Sequence, residues 1–185
     1  SDALAGTSGL GANFVDLFGS EKELREHDFV VDSIVKKFKE QGLYPTVPSS
    51  PCLAQFGQLV HLHTPIRAKA LNVSPIHMAG SLHPTPAVAG SPCSQAMNWL
   101  RTLEPFDREG YAAPIGWIDN GGDADFRVAI RSGNIKGKKL ELTAGAGLVR
   151  GSIAEKELAE VELKFGVLED QFNLQENISN SRLIT

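Results

Sequence analysis

The segment from residue 20 to residue 41, SEKELREHDFVVDSIVKKFKEQ, limits the possible folds more than any other part of the chain. Ser20 and Glu23 have the spacing of a capping box, in which each side chain satisfies a free N–H at a helix start. Gly42 follows where a helix needs a residue that tolerates the left-handed conformation. Between these ends Leu24, Val31, Ile34, Val35 and Phe38 recur at helical spacing and form one apolar stripe. A helix of about six turns with such a stripe needs a surface to cover it, so the rest of the chain must provide one.

LVHLHTPI (59–66) alternates in polarity and reads as a strand. Residues 43–56, with Pro45, Pro48 and Pro51, read as a loop holding a short extended piece. Residues 73–82 read as a short helix, HPTPAVAGSP (83–92) as a proline-rich loop, and SQAMNWLRTLE (94–104) as a further helix. AAPIGWID, DFRVAIRS and KKLELTAG then give three strands in a row, the first two joined by Asn120-Gly121 and the next two by Gly133 to Gly137. A last helix is expected from about residue 153 to 169, with Ser152 and Glu155 as a second capping box. Its apolar stripe is Leu158, Val161, Phe165 and Leu168. Residues 1–170 read as one domain and the polar stretch 171–185 as a frayed tail. The predicted fold class is α+β, an antiparallel sheet with helices packed on one side.

Composition narrows the function. With 42% apolar and 22% charged residues the chain has a soluble globular profile. A net charge of −4 without a basic run argues against a nucleic-acid partner. The apolar stretches fall far short of a membrane span. Cys52 and Cys93 are too few for a disulfide framework or a Cys-rich zinc site, which suits a reducing cytosol and a cytoplasmic location; a bridge between the two stays open. Ser1, in place of an initiator Met, reads as the start of a fragment or processed chain.

The candidate chemistry lies in glycines and glutamates. LTAGAGLVRGSIAEKELAE (142–160) puts a glycine-rich turn before a glutamate-loaded helix. Glycine loops ahead of helices hold anions with free N–H groups, yet Glu155, Glu157 and Glu160 would repel a phosphate. GAGLVRG and GNIKGKK both miss the nucleotide-binding spacings. The turn therefore offers N–H groups to a carboxylate, or is a tight turn that only glycine permits. Glu157 and Glu160 border one helix stripe, with Lys164 a turn beyond, and Glu23 and Glu26 repeat the arrangement on the first helix. Two helices on one core could bring the four carboxylates together, which requires protonation or a hard cation such as Mg²⁺. The alternative is two solvated helix faces. His61 and His63 share a strand face and read as a structural pair. Arg131 is either a surface strand residue or a fork for a substrate carboxylate.

The chain as a whole resembles the C-terminal part of the chorismate-utilising enzymes, the family of isochorismate, anthranilate, salicylate and aminodeoxychorismate synthases. The resemblance rests on Ala3-Leu4-Ala5-Gly6-Thr7, SEKELREH (20–27), HPTPAVAG (83–90), EPFDREGY (104–111), VAIRS (128–132), AGAGLVRGS (144–152) and E-x-x-E-x-x-x-K (157–164). LHPTPAVAG with EPFDRE resembles the isochorismate synthases in particular. The resemblance implies the C-terminal half of an α/β/β/α sandwich and conversion of chorismate to isochorismate with Mg²⁺. It places Glu26 and Glu160 on the metal, with Glu23 and Glu157 beside them, partly through water. Gly6, Thr7, Arg131, Gly145 and Lys164 match substrate-lining positions, and His61, Ala87, Tyr111 and Ile130 match positions around the ring. The family's general-base lysine and general-acid glutamate lie upstream of the A-L-A-G-T motif, so no residue here takes those roles. An incomplete catalytic domain is therefore expected, inactive alone and prone to self-association. A salicylate, anthranilate or aminodeoxychorismate synthase, or a non-catalytic Mg²⁺- or carboxylate-binding module, remain the alternatives, and menaquinone, siderophore and salicylate pathways all stay open.

Overall fold

The computed structural model describes residues 1–10, 15–172 and 174. Strands β1 (Asp2–Gly9), β2 (Cys52–Phe56) and β3 (Leu59–Pro65) form an antiparallel sheet in the order β1-β3-β2. Helix α1 (Val15–Gly19) leads into α2 (Glu21–Glu40), which lies across β1 and β3. Helices α3 (Pro75–Leu82), α4 (Pro86–Ala89) and α5 (Cys93–Leu103) follow. Two separate hairpins come next, β4 (Pro114–Ile118) with β5 (Ala124–Val128) and β6 (Ser132–Lys136) with β7 (Lys139–Thr143). Helix α6 (Ala154–Gln171) touches β1 and β7. The class is α+β, as the residue patterns predict.

The long helix covers the sheet. Val30, Ile34 and Phe38 meet Ala3, Ala5, Leu43 and Ile66 in one buried cluster, and Leu17, Val60 and Leu62 form a second with Leu24. Each large buried side chain here contributes about 1.5–3 kcal/mol. The buried line along α2 is His27, Val30, Ile34 and Phe38, with Val31 and Val35 only partly buried, so the stripe read from the sequence is rotated. His27 is tolerated inside because its Nε2 lies 2.7 Å from Thr64 Oγ1. Ser20 caps α2 by accepting from the Glu23 N–H, and Gly42 ends it at φ +72°. The reciprocal half of the capping box is missing, because the Glu23 side chain is used elsewhere.

Several local expectations change. Residues 133–136 are themselves strand, and that hairpin turns at Gly137, φ +63°. The turn around Asn120-Gly121 runs from Asp119 to Asp123, with Asp119 Oδ1 accepting from the N–H groups of Gly121 and Asp123. The loop 83–92 contains the short helix α4. The second capping box does not form: Ile153 is the N-cap of α6, and Ser152 Oγ accepts from Val149 N–H instead. The buried residues of α6 are Glu157, Lys164 and Leu168, whereas Leu158 is 38% exposed. Both cysteines are free. Of the expected polar tail, 171, 172 and 174 are described and the rest lies outside the described residues. Among the described residues no helix is long and apolar enough to cross a membrane.

Candidate functional site

β1 is made mostly of small residues, and at Gly6 it breaks register with β3. Gly6 has φ +75°, and a Cβ there would stand 3.1 Å from Glu23 Oε2 and 3.3 Å from Leu62 Cδ1. Glycine is thus required by backbone conformation and by space. The bulge turns the Thr7 N–H toward Glu23 Oε2 (3.3 Å), while Thr7 Oγ1 lies 3.1 Å from His61 Nδ1 across the strand pair.

Beyond this bulge the first turns of α2 and α6 face each other, and all four expected glutamates meet. Lys22 Nζ stands 3.0 Å from Glu23 Oε1, 3.5 Å from Glu26 Oε2 and 2.9 Å from Glu157 Oε1. The remaining glutamate, Glu160, pairs with Lys164, whose ammonium also donates to the Gly145 carbonyl at 2.8 Å. An open cleft of about 340 Å³ borders the cluster, lined in part by Thr7, Glu23, Glu157 and Glu160. Burial pushes the Glu26 carboxyl up to about 7; Glu160 and Glu23 reinforce this, and Lys22 and Lys164 oppose it. Burial would lower the Lys22 ammonium, but hydrogen bonds to Glu157 and Glu23 hold it above its usual range. Glu26 rises despite Lys22 because burial outweighs the pull of an ammonium that sits closer to Glu23 and Glu157.

The glycine turn meets the cluster through a carbonyl and a close approach. It does not open α6, which starts at Ala154, and Gly145 offers its carbonyl to Lys164. A Cβ at Gly147 would come within 2.7 Å of Glu26 Oε1, so this turn must pass a carboxylate closely. Tyr111 Oη approaches Gly145, standing 3.7 Å from where a Cβ would be. Burial raises the Tyr111 phenol against the charges of Arg131 and Arg108. Arg131 lies between β5 and β6 in a left-handed conformation, φ +54°, which a non-glycine residue adopts at a cost. It is half-buried, and among the described residues its guanidinium makes no hydrogen bond or ion pair. Burial lowers it, with Tyr111 and Glu160 acting the other way. His61 is pushed down to about 4 by burial and by the charges of Arg131 and Lys164, so its imidazole is neutral at neutral pH.

Gly6, Thr7, Glu23, Glu26, His61, Tyr111, Arg131, Gly145, Glu157, Glu160 and Lys164 are thus linked by contacts or charge. Ala87 is exposed on α4 and Ile130 is 38% exposed beside Arg131; both are apolar and take no part in the polar network. His63 is separate, paired with Asp2 and near Cys52, as a structural histidine would be. Sequence reasoning missed Lys22. Its signal was a basic residue next to Glu23 in the first turn of α2, where a helix disfavours positive charge.

A divalent cation can be tested against these residues. Among the described residues no three carboxylate, imidazole or thiolate groups form a ready-made metal shell. The donors nonetheless suit a hard cation: four carboxylates converge, and Glu157 Oε2 is buried without a hydrogen-bond partner. What stands among them is the Lys22 ammonium.

The sequence profile of the chorismate binding enzyme family matches residues 1–173, and the chain belongs to that family. It is 40% identical over 174 residues to isochorismate synthase MenF of Bacillus subtilis, covering 89% of this chain and 37% of that protein. It is 37% identical over 176 residues to the salicylate biosynthesis isochorismate synthase of Pseudomonas aeruginosa, covering 91% of this chain and 37% of that one. Among solved structures it superimposes on the putative 2,3-dihydroxybenzoate-specific isochorismate synthase DhbC of Bacillus anthracis with a TM-score of 0.85. That match has 34% identity and covers 95% of this chain and 49% of the other. Anthranilate synthase component I of Streptococcus pneumoniae gives a TM-score of 0.74 at 27% identity, covering 91% and 42%. The chain therefore spans less than half the length of these relatives.

Proposed function

We propose that the chain is the metal- and substrate-holding part of a Mg²⁺-dependent isochorismate synthase acting on chorismate. The observation that carries this reading is the meeting of four carboxylates, three of them lining a cleft, with Lys164 paired to Glu160 and the charges of Lys164 and Arg131 bearing on a neutral His61. A small dicarboxylate fits such a junction, because one carboxylate can share a cation with the glutamates while a guanidinium takes the other. Arg131, half-buried within the fields of Tyr111 and Glu160, would clamp a substrate carboxylate. Glu26 and Glu160 would hold the metal directly, with Glu23 and Glu157 beside them. Lys164, anchored on Gly145, keeps a positive charge on the substrate side, and Tyr111, Ala87 and Ile130 wall the ring.

When bound, the metal would orient the substrate acid and neutralise its charge. The reaction adds water at C2 of chorismate while the C4 hydroxyl leaves. None of the described residues is assigned the proton transfers, which we place in the part of the domain that the relatives have beyond this chain's span. Chorismate supplied with Mg²⁺ to the complete domain, with product identified by chromatography, tests the reading. Isochorismate is the expected product. Anthranilate or salicylate would move the chain to another branch of the family, a reading that the likeness to anthranilate synthase component I keeps in view.

A further inference from the structure

Lys22 is the second residue of α2, where the helix dipole acts against a cation, yet its ammonium is the central charge of the carboxylate cluster. It reaches glutamates from both helices, Glu23 and Glu26 on α2 and Glu157 on α6. It satisfies them incompletely. Glu157 spends one oxygen on Lys22 while Oε2 stays buried without a partner, and Glu26 is held only at 3.5 Å. Arg25, the next basic residue of α2, donates to the Arg150 carbonyl and so does not share this task. A divalent cation bonded to these oxygens at about 2.0–2.1 Å would meet the ammonium at a separation where like charges repel strongly. The cleft beside Lys22, which this side chain helps to line, gives its flexible stem a place to go.

We propose that Lys22 is a placeholder cation, holding the carboxylates together in the metal-free chain and leaving its position when a divalent cation binds. It thereby sets the cation affinity of the site. This inference rests on the metal reading above. The affinity for metal alone is held low because the ion must first displace Lys22; a substrate carboxylate that completes the oxygen shell tips the exchange.

Mn²⁺ serves as the probe, its free-ion electron paramagnetic resonance signal reporting binding to the 185-residue chain with and without chorismate. Lys22→Gln and Lys22→Met should bind Mn²⁺ without chorismate at least about tenfold tighter than wild type, since one neighbouring positive charge is gone. In chelator both variants should melt below wild type, and Mn²⁺ should raise their melting temperature more than it raises that of wild type. Lys22→Arg, which keeps the charge, should bind as weakly as wild type. Lys22→Gln retains hydrogen-bond donors for the glutamates and so covers the case in which Lys22→Met fails to fold. Binding by folded Lys22→Gln that is no tighter than wild type, while wild type takes up Mn²⁺ with chorismate, overturns the placeholder and leaves the metal reading standing. If neither protein takes up Mn²⁺ even with chorismate, the metal reading falls and the placeholder falls with it.

Discussion

The sheet under α2 and the pair of hairpins after α5 are built from similar proportions of apolar residues but use them in opposite ways. In the first region Ala3, Leu62 and Ile66 are fully buried and Ile34 is 2% exposed. In the second every residue of β4 is exposed, with Ile115 at 64%, Trp117 at 56% and Ile135 on β6 at 77%. One region closes its own core. The other touches the helices at β4 and β7 and leaves apolar side chains and strand edges exposed, which is unusual for a monomer's surface. The relatives extend well beyond the length that this chain spans. The hairpins are thus an open face, and the α2 sheet is the self-sufficient base of the site.

The largest expected effect tests that division in function. Residues 1–185 alone should turn over chorismate more slowly, by about 10²–10⁴-fold for each absent proton-transfer group, than when mixed with a second chain carrying the relatives' remaining part of the domain. Product formation by chain, partner and mixture decides it. Robust turnover by residues 1–185 alone would place the proton-transfer groups within them. The next effect is on stability. Ile34→Ala should cost about 2–5 kcal/mol in urea unfolding, because it opens a cavity in a closed core. Trp117→Ser should change the stability of the isolated chain by no more than about 0.5 kcal/mol. A large loss at Trp117 would show that the hairpins are packed after all.

Two smaller effects belong to the site. Arg131→Ala should weaken chorismate binding by about 1.5–3 kcal/mol in calorimetric titration, the size of a lost charge-assisted pair. A change near zero would return Arg131 to the surface. His61 gives a pH signature. Its folded-state value, about 4, lies below the unfolded 6.5, so between these values the unfolded chain binds more protons. The stability conferred by this neutral imidazole is complete above pH 6.5 and is lost as pH falls toward 4. His61→Asn should remove an acid-side loss on the order of 1–2 kcal/mol, allowing for partial exposure. Identical acid profiles for the two proteins would contradict the neutral buried imidazole.

The comparison also explains what the residues revealed in advance. The long helix, the strand at 59–65 and the last helix were legible from their periodicity, although the capping box read for the last helix does not form. The rotated stripe of α2 was not, since His27 counts as polar until Thr64 is known to face it. The same limit hid the buried face of α6, where Glu157 and Lys164 lie inside because each has a charged partner on another turn or helix. The glutamate pairs were readable as spacing on two helices, but their convergence depends on how α2 and α6 meet. Lys22 could not be singled out, because a lysine among glutamates in a first turn looks like an ordinary solvated charge until three carboxylates surround it. Gly145 shows a related limit: glycine spacing shows that a backbone comes close to something, without showing whether N–H or carbonyl faces it.

The central claim is that the carboxylate cluster and the substrate clamp form one site joined by a divalent cation. Chorismate titrated calorimetrically into the wild-type protein, with Mg²⁺ and again with chelator, tests it most directly, with Glu160→Gln run alongside. The account predicts markedly tighter chorismate binding with Mg²⁺ for wild type, and loss of that coupling in a folded Glu160→Gln. Equal chorismate affinity with and without Mg²⁺ in the wild type would contradict it.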